Sequence, residues 1–123
     1  MKLKSLLLAA ACAAFGAPAA AQELTGTLKK IKDTNTIVVG HRESSIPFSY
    51  YDDKQQVVGY AMDLCGKVVD AVKKQLNLPN LQVKLNPVTS QTRIPLMTNG
   101  TIDMECGSTT NSIERQKQVA FGV

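Results

Sequence analysis

Thr89 to Arg115 reads TSQTRIPLMTNGTIDMECGSTTNSIER, and it carries a helix, a strand and the start of a second helix in direct succession. Pro95 fits only a first helical turn, so the helix is expected to start near Gln91 or Thr92. Gly100 suits the position just past its end. Ile102, Met104 and Cys106 alternate with Asp103 and Glu105, which predicts a core strand. Gly107-Ser108-Thr109-Thr110 then opens a polar helix over Asn111 to Gln118. A loop of this composition offers backbone N–H groups and short hydroxyls to an anion. An arginine nearby, Arg93, adds a fork that matches a carboxylate. The same residues also fit two ordinary helix caps and a surface arginine.

Working outward, Thr36-Ile37-Val38-Val39-Gly40 is a β-branched run suited to a strand buried on both faces. His41-Arg42-Glu43-Ser44-Ser45 follows at its carboxyl end. Asp52-Asp53-Lys54-Gln55 reads as a hairpin turn between Pro47–Tyr51 and Gln56–Gly59. Tyr60 to Leu78 is the strongest helix, with Cys65, Val68, Val69, Val72 and Leu76 on one stripe and Pro79-Asn80 as its stop. Leu81 to Leu85 alternates as a strand ended by Pro87. Glu23 to Asn35 is a Lys-rich amphipathic lead-in helix with a solvated basic face.

Strands and helices therefore alternate, which predicts an α/β fold with a largely parallel sheet and helices on both faces. Such sheets bind ligands beyond the carboxyl ends of their strands. Those ends carry Arg42 after the first strand, Ser90 and Arg93 after the second, and Ser108 to Thr110 after the third. Three loops thus deliver guanidiniums and hydroxyls to one rim, the composition of a site for a small carboxylate.

The chain has 123 residues, 44% hydrophobic and 20% charged, which bounds it to one globular domain at most. A formal charge of +4, with no Trp and no basic-aromatic array, speaks against nucleic acid as a partner. Met1 to Lys4 is basic, Leu6 to Phe15 is a short apolar run, and Ala19-Ala20-Ala21 is a small-residue cleavage site. Residues 1–21 are accordingly expected to be a cleaved signal peptide and the remainder to be periplasmic; a lipidated Cys12 is the rival reading. Cys65 and Cys106 then remain. They are left as a disulfide, as free buried thiols, or as partners of cysteines elsewhere. No metal-ligand spacing is present and no cofactor is expected. His41, the sole histidine, is read as a packing or capping residue.

Gly59-Tyr60-Ala61-Met62-Asp63-Leu64 with Val68-Val69, then His41-Arg42-Glu43-Ser44, Thr89 to Leu96 and Glu105 to Asn111, resemble the periplasmic solute-binding proteins of polar amino-acid ABC uptake systems. The glutamate/aspartate-binding members are the most similar, over about Leu28 to Val123. Ala61 departs from the pattern, where an acid is usual, at a position that does not touch ligand. The resemblance implies a monomeric, two-lobed, hinged receptor without catalytic activity, which hands glutamate or aspartate to a membrane permease. It implies that residues 22–123 are the first part of lobe 1, with the second lobe absent. A lobe alone is expected to bind weakly. By resemblance, Arg93 clamps the ligand α-carboxylate with help from Thr110, Ser108 meets the α-ammonium, and Arg42 and Ser90 meet the side-chain carboxylate. A dehydratase-like enzyme on the same fold would need an acid or base at the rim. Glu105 is read as pointing opposite Cys106, before the loop, and no paired carboxylates reach the rim. A ligand-binding sensory domain of a receptor is the other alternative.

Overall fold

The computed structural model describes residues 23–122. The expected signal peptide falls on residues outside this range. The chain runs α1 (Gly26–Thr34), β1 (Thr36–His41), β2 (Ser44–Ser45), β3 (Ser49–Tyr51), β4 (Val57–Val58), α2 (Tyr60–Leu76), β5 (Gln82–Pro87), α3 (Arg93–Thr98), β6 (Met104–Cys106) and α4 (Ile113–Gln116).

β1 is the centre of a parallel three-stranded sheet in the order β5-β1-β6. Its register decides where the loops emerge. His41 pairs with Pro87 on one side and with Cys106 on the other. All three strands therefore end in the same row, and the segments beginning at Arg42, Val88 and Gly107 leave from one rim. The expected α/β fold with a parallel sheet is what the chain forms. A second, antiparallel sheet, β2-β3-β4, stands beside that rim. The hairpin was legible; the two-residue β2 was not.

Side chains alternate across the strands. Ile37 and Val39 join Ile31 of α1, Val69 and Leu76 of α2, Leu81 and Cys106 in one buried core. Gly40 faces the other way, where Ile102 and Val88 close over it; a Cβ there would sit 2.7 Å from Ile102 Cδ1. Cys65 on α2 and Cys106 on β6 form a disulfide, with Cα atoms 6.2 Å apart. Of the three readings left open for these thiols, the bridge is the one realised.

Several boundaries differ from expectation, each for a local reason. α2 stops at Leu76 because Asn77 takes a left-handed conformation, which Asn tolerates, and Leu78 N–H bonds back to Lys73 O. Val68 is exposed although it lies on the predicted stripe; the buried face of α2 is narrower and centres on Val69 and Leu76. Val83 and Leu85 are also exposed, because β5 is a sheet edge and α2 is tied to the opposite edge strand, β6, through the Cys65–Cys106 bridge. α3 starts at Arg93, preceded by a reciprocal cap: Thr92 N–H donates to Thr89 Oγ1 and Thr89 N–H to Thr92 Oγ1. α4 is only Ile113–Gln116, capped by Ser112, whose Oγ accepts from Arg115 N–H. Gly100 follows α3 with φ at +79°, the expected role.

Candidate functional site

Arg42 is the first residue past β1, and its backbone is pinned. Ser49, fully buried on β3, accepts from Arg42 N–H at 2.9 Å and donates to Arg42 O at 3.2 Å. The His41 ring, edge-on to Tyr51, places Nδ1 3.2 Å from the same carbonyl. His41 is therefore a buried packing and positioning residue, as expected. The small antiparallel sheet thus fixes where the Arg42 side chain leaves the rim. That side chain runs past Gly107: a Cβ at Gly107 would press on Arg42 Cγ and on Glu105 Oε1. No ion pair of Arg42 with Glu43 or Asp63 is present among the described residues.

Ser108 Oγ lies 2.7 Å from Ser45 Oγ. This joins the loop after β6 to β2. Ser45 carries a contact that sequence reasoning missed, although its spacing of three from Arg42 placed it in the same loop. Arg115 was missed too. It follows the Ser112 cap by three residues, and its Nη1 donates to Thr110 O at 2.9 Å.

Arg93 opens α3 and is only 7% exposed. Its Nε and Nη1 find no hydrogen-bond partner among the described residues. Burial holds its pKa below the ordinary guanidinium value; Glu105 opposes that shift, and the like charges of Arg42 and Arg115 add to it. The three arginines and Glu105 therefore share one electrostatic neighbourhood. A cavity of about 480 Å³ borders Arg93, Glu105 and Thr109, and extends along α3 toward residues 118–122.

Glu105 points opposite to Cys106, as read from the strand alternation, in register with Gly40, and its Oε2 accepts from Thr109 Oγ1 of the following loop at 2.8 Å. Ser90 and Thr110 are less engaged. Ser90 lies exposed in the turn before α3, and Thr110 is exposed with only its carbonyl in use. The structure thus brings Ser45 and Ser108 together by contact, places the Arg42 side chain beside Gly107, and sets Arg93 near Arg42 by charge. Ser90 and Thr110 stand on the same loops without a contact to the others. Among the described residues no cluster of metal-ligating side chains occurs, and no helix is long and apolar enough to cross a membrane.

This composition is one that receives carboxylates. A buried guanidinium with free donors is costly unless an acceptor arrives, and a carboxylate presents two oxygens at the matching spacing.

A model of bacterial extracellular solute-binding proteins, family 3, matches residues 37–123. An L-glutamate/L-aspartate-binding protein of Pseudomonas aeruginosa is 64% identical over 97% of this chain and 40% of its own length. A glutamate/aspartate import solute-binding protein of Salmonella typhimurium is 65% identical over 86% of this chain and 34% of its own. The chain thus spans between about a third and two fifths of the length of these two relatives. Among solved structures, the arginine-bound form of domain 1 from TmArgBP superposes with a TM-score of 0.61 at 26% identity, over 76% of this chain and 69% of that one. An ancestral cyclohexadienyl dehydratase does so with a TM-score of 0.64 at 25% identity, over 77% and 36%.

Proposed function

The chain belongs to the bacterial extracellular solute-binding proteins, family 3, and from that premise we propose that it is the first-lobe part of a receptor for acidic amino acids. The receptor binds glutamate or aspartate in the periplasm and delivers it to the permease of an ABC uptake system. Residues 1–21 act as the signal peptide, and residues 22–123 begin lobe 1. A second lobe completes the cleft, a reading supported by the relatives' greater length. The receptor works as a monomer.

The observation that carries this reading is the buried Arg93 guanidinium with Nε and Nη1 unpartnered at a rim lined by hydroxyls. Arg93 takes the ligand α-carboxylate, with the hydroxyl and N–H of Thr110. Ser108 accepts from the α-ammonium, held in place by Ser45. Arg42 and Ser90 take the second carboxylate, which only glutamate and aspartate possess. The names of the relatives that share 64–65% identity support the acidic ligand class.

Calorimetry of the full-length protein against glutamate, aspartate, glutamine and asparagine tests this. Tight binding of the first two and weak binding of the amides is expected. Equal affinity for all four would overturn the acidic assignment. The isolated 123-residue chain is expected to bind more weakly than the full protein, since ligand held by one lobe stays half in water, where an ion pair contributes only ~0–1 kcal/mol. That domain 1 of TmArgBP has an arginine-bound form makes a lobe-alone measurement practicable.

An enzyme reading has one observation behind it, the Glu105 carboxylate near the rim, together with a dehydratase among the structural neighbours. We favour binding because Glu105 has no second carboxylate bonded to it among the described residues and is tied to Thr109. Incubating the full protein with a carboxylated cyclohexadiene and finding turnover would reverse that preference.

A further inference from the structure

Three buried polar atoms lack a protein partner among the described residues: Arg93 Nε, Arg93 Nη1 and Glu105 Oε1. Both side chains border the same cavity of about 480 Å³. They form no direct ion pair. Glu105 is instead drawn aside at its other oxygen, which accepts from Thr109 Oγ1 at 2.8 Å. Gly107 makes room for it, since a Cβ there would press on Glu105 Oε1. Thr109 itself sits between Ser108 and Thr110, in the loop read above as the ligand loop.

From this arrangement we infer that Glu105 is a positioning residue, which acts on the ligand through Arg93 and is held off it by Thr109. The inference rests on the reading of Arg93 as the carboxylate clamp. The physical need for such a residue is plain. A buried guanidinium that faces two other guanidiniums is pushed toward solvent. Arg42 and Arg115 both act on Arg93 in that sense, and Glu105 is the one carboxylate acting against them. Direct closure of Glu105 onto Arg93 would consume the donors that the ligand needs. The Thr109 hydroxyl draws Oε2 toward the loop, and Glu105 Oε1, Arg93 Nε and Arg93 Nη1 all stay without a protein partner among the described residues. Glu105 therefore retains Arg93 at the rim by charge while leaving Nε and Nη1 free. Thr109 links this restraint to the loop that carries Ser108 and Thr110, so the clamp and the loop are set by one carboxylate.

The test uses the full-length protein with Glu105→Gln, Thr109→Val, Thr109→Ser and the double variant Glu105→Gln/Thr109→Val. Glutamate affinity is expected to fall about tenfold in Glu105→Gln, the worth of one charge-assisted hydrogen bond. Thr109→Val should fall by a similar factor and Thr109→Ser should retain the wild-type value. The double variant should be no weaker than the worse single one, because Thr109 acts only through Glu105; a merely structural role would give additive losses. Heteronuclear NMR of arginine Nε–H groups in the ligand-free protein supplies a second readout, with Arg93→Lys identifying the signal. In Glu105→Gln the Arg93 signal should broaden or move toward that of a solvated arginine. Unchanged affinity or additive losses, with an unmoved Arg93 signal, would overturn the inference while leaving the proposed ligand intact. If wild-type protein binds no acidic amino acid, the proposed function fails, and the NMR comparison still decides whether Glu105 restrains Arg93.

Discussion

Ser45 Oγ and Ser108 Oγ lie 2.7 Å apart across 63 positions of sequence. Through them the loop after β6 leans on the small antiparallel sheet, and so on the element that also pins the Arg42 backbone through Ser49. Ser45→Ala removes one neutral hydrogen bond of about 0.5–1.5 kcal/mol, near the lower end here because Ser108 is exposed. Glutamate affinity should fall roughly two- to fivefold, at ~1.4 kcal/mol per tenfold. The unfolding midpoint should barely move. A lowered midpoint with unchanged affinity would make the contact structural rather than functional.

Asp103 ties the entry of β6 to β1 and α1. Its side chain is 2% exposed and accepts from Val38 N–H at 2.9 Å and from Lys30 Nζ at 2.7 Å. Asp103 N–H donates to Val38 O. Asp103→Ala strands a backbone donor and should cost about 1–3 kcal/mol. Lys30→Met should cost less than about 1 kcal/mol, since the lysine is half in water. Denaturant unfolding of both variants checks the order; a larger loss for Lys30→Met would refute it.

The Cys65–Cys106 bridge closes a loop of 41 positions and ends one residue before Gly107. Loop-closure entropy puts its stabilisation at about 4 kcal/mol in the chain-entropy treatment. Reduction, or Cys65→Ser with Cys106→Ser, should lower unfolding stability by up to that amount. The reduced protein should also show faster amide exchange at Gly107 and Ser108. Equal exchange in both forms would mean that the bridge stabilises the fold without stiffening the ligand loop.

The parallel sheet was legible because β1 is a continuous apolar run and the helices between strands carry their own period. The convergence of Arg42, Arg93 and Ser108 followed from the rule that such sheets bind at their carboxyl ends. What escaped was anything set by side-chain reach. Glu105 alternates correctly away from Cys106, yet a carboxylate on two methylenes bends back to Thr109. Arg115 sits on a helix too short to announce its face, and Ser45 on a strand of two residues. The disulfide needed a helix-to-sheet distance that no spacing in sequence encodes. The exposure of Val83 and Leu85 depended on β5 lying at the edge, which is a matter of strand order.

Arg93 is expected to trade stability for function. Its guanidinium is buried, held below its ordinary pKa by that burial, and short of partners. Arg93→Met keeps the length and removes the charge. Ligand-free protein should become more stable by about 1–3 kcal/mol, as when other poorly paired buried ions are replaced by apolar groups. Binding should be lost. A less stable Arg93→Met variant would show that the guanidinium is satisfied in the folded protein.

The two arginines should separate by ligand. Every amino acid has an α-carboxylate, so Arg93 should matter for all of them. Only glutamate and aspartate have a second carboxylate, so Arg42 should govern selectivity. In a closed and largely dry cleft, removing one partner of an ion pair costs about 3–5 kcal/mol. That is on the order of a hundredfold to a few thousandfold in affinity. Arg93→Ala should weaken glutamate and residual glutamine binding together. Arg42→Ala should weaken glutamate strongly and leave glutamine unchanged or improved, because a neutral amide cannot offset the charge of a guanidinium enclosed with it. Arg42→Lys keeps the charge and loses the fork, so its glutamate affinity should fall between wild type and alanine. Titration of both ligands against the wild type and the three variants of the full-length protein decides. Equal losses of glutamate and glutamine in Arg42→Ala would remove Arg42 as the selector, and with it the physical basis for an acidic ligand.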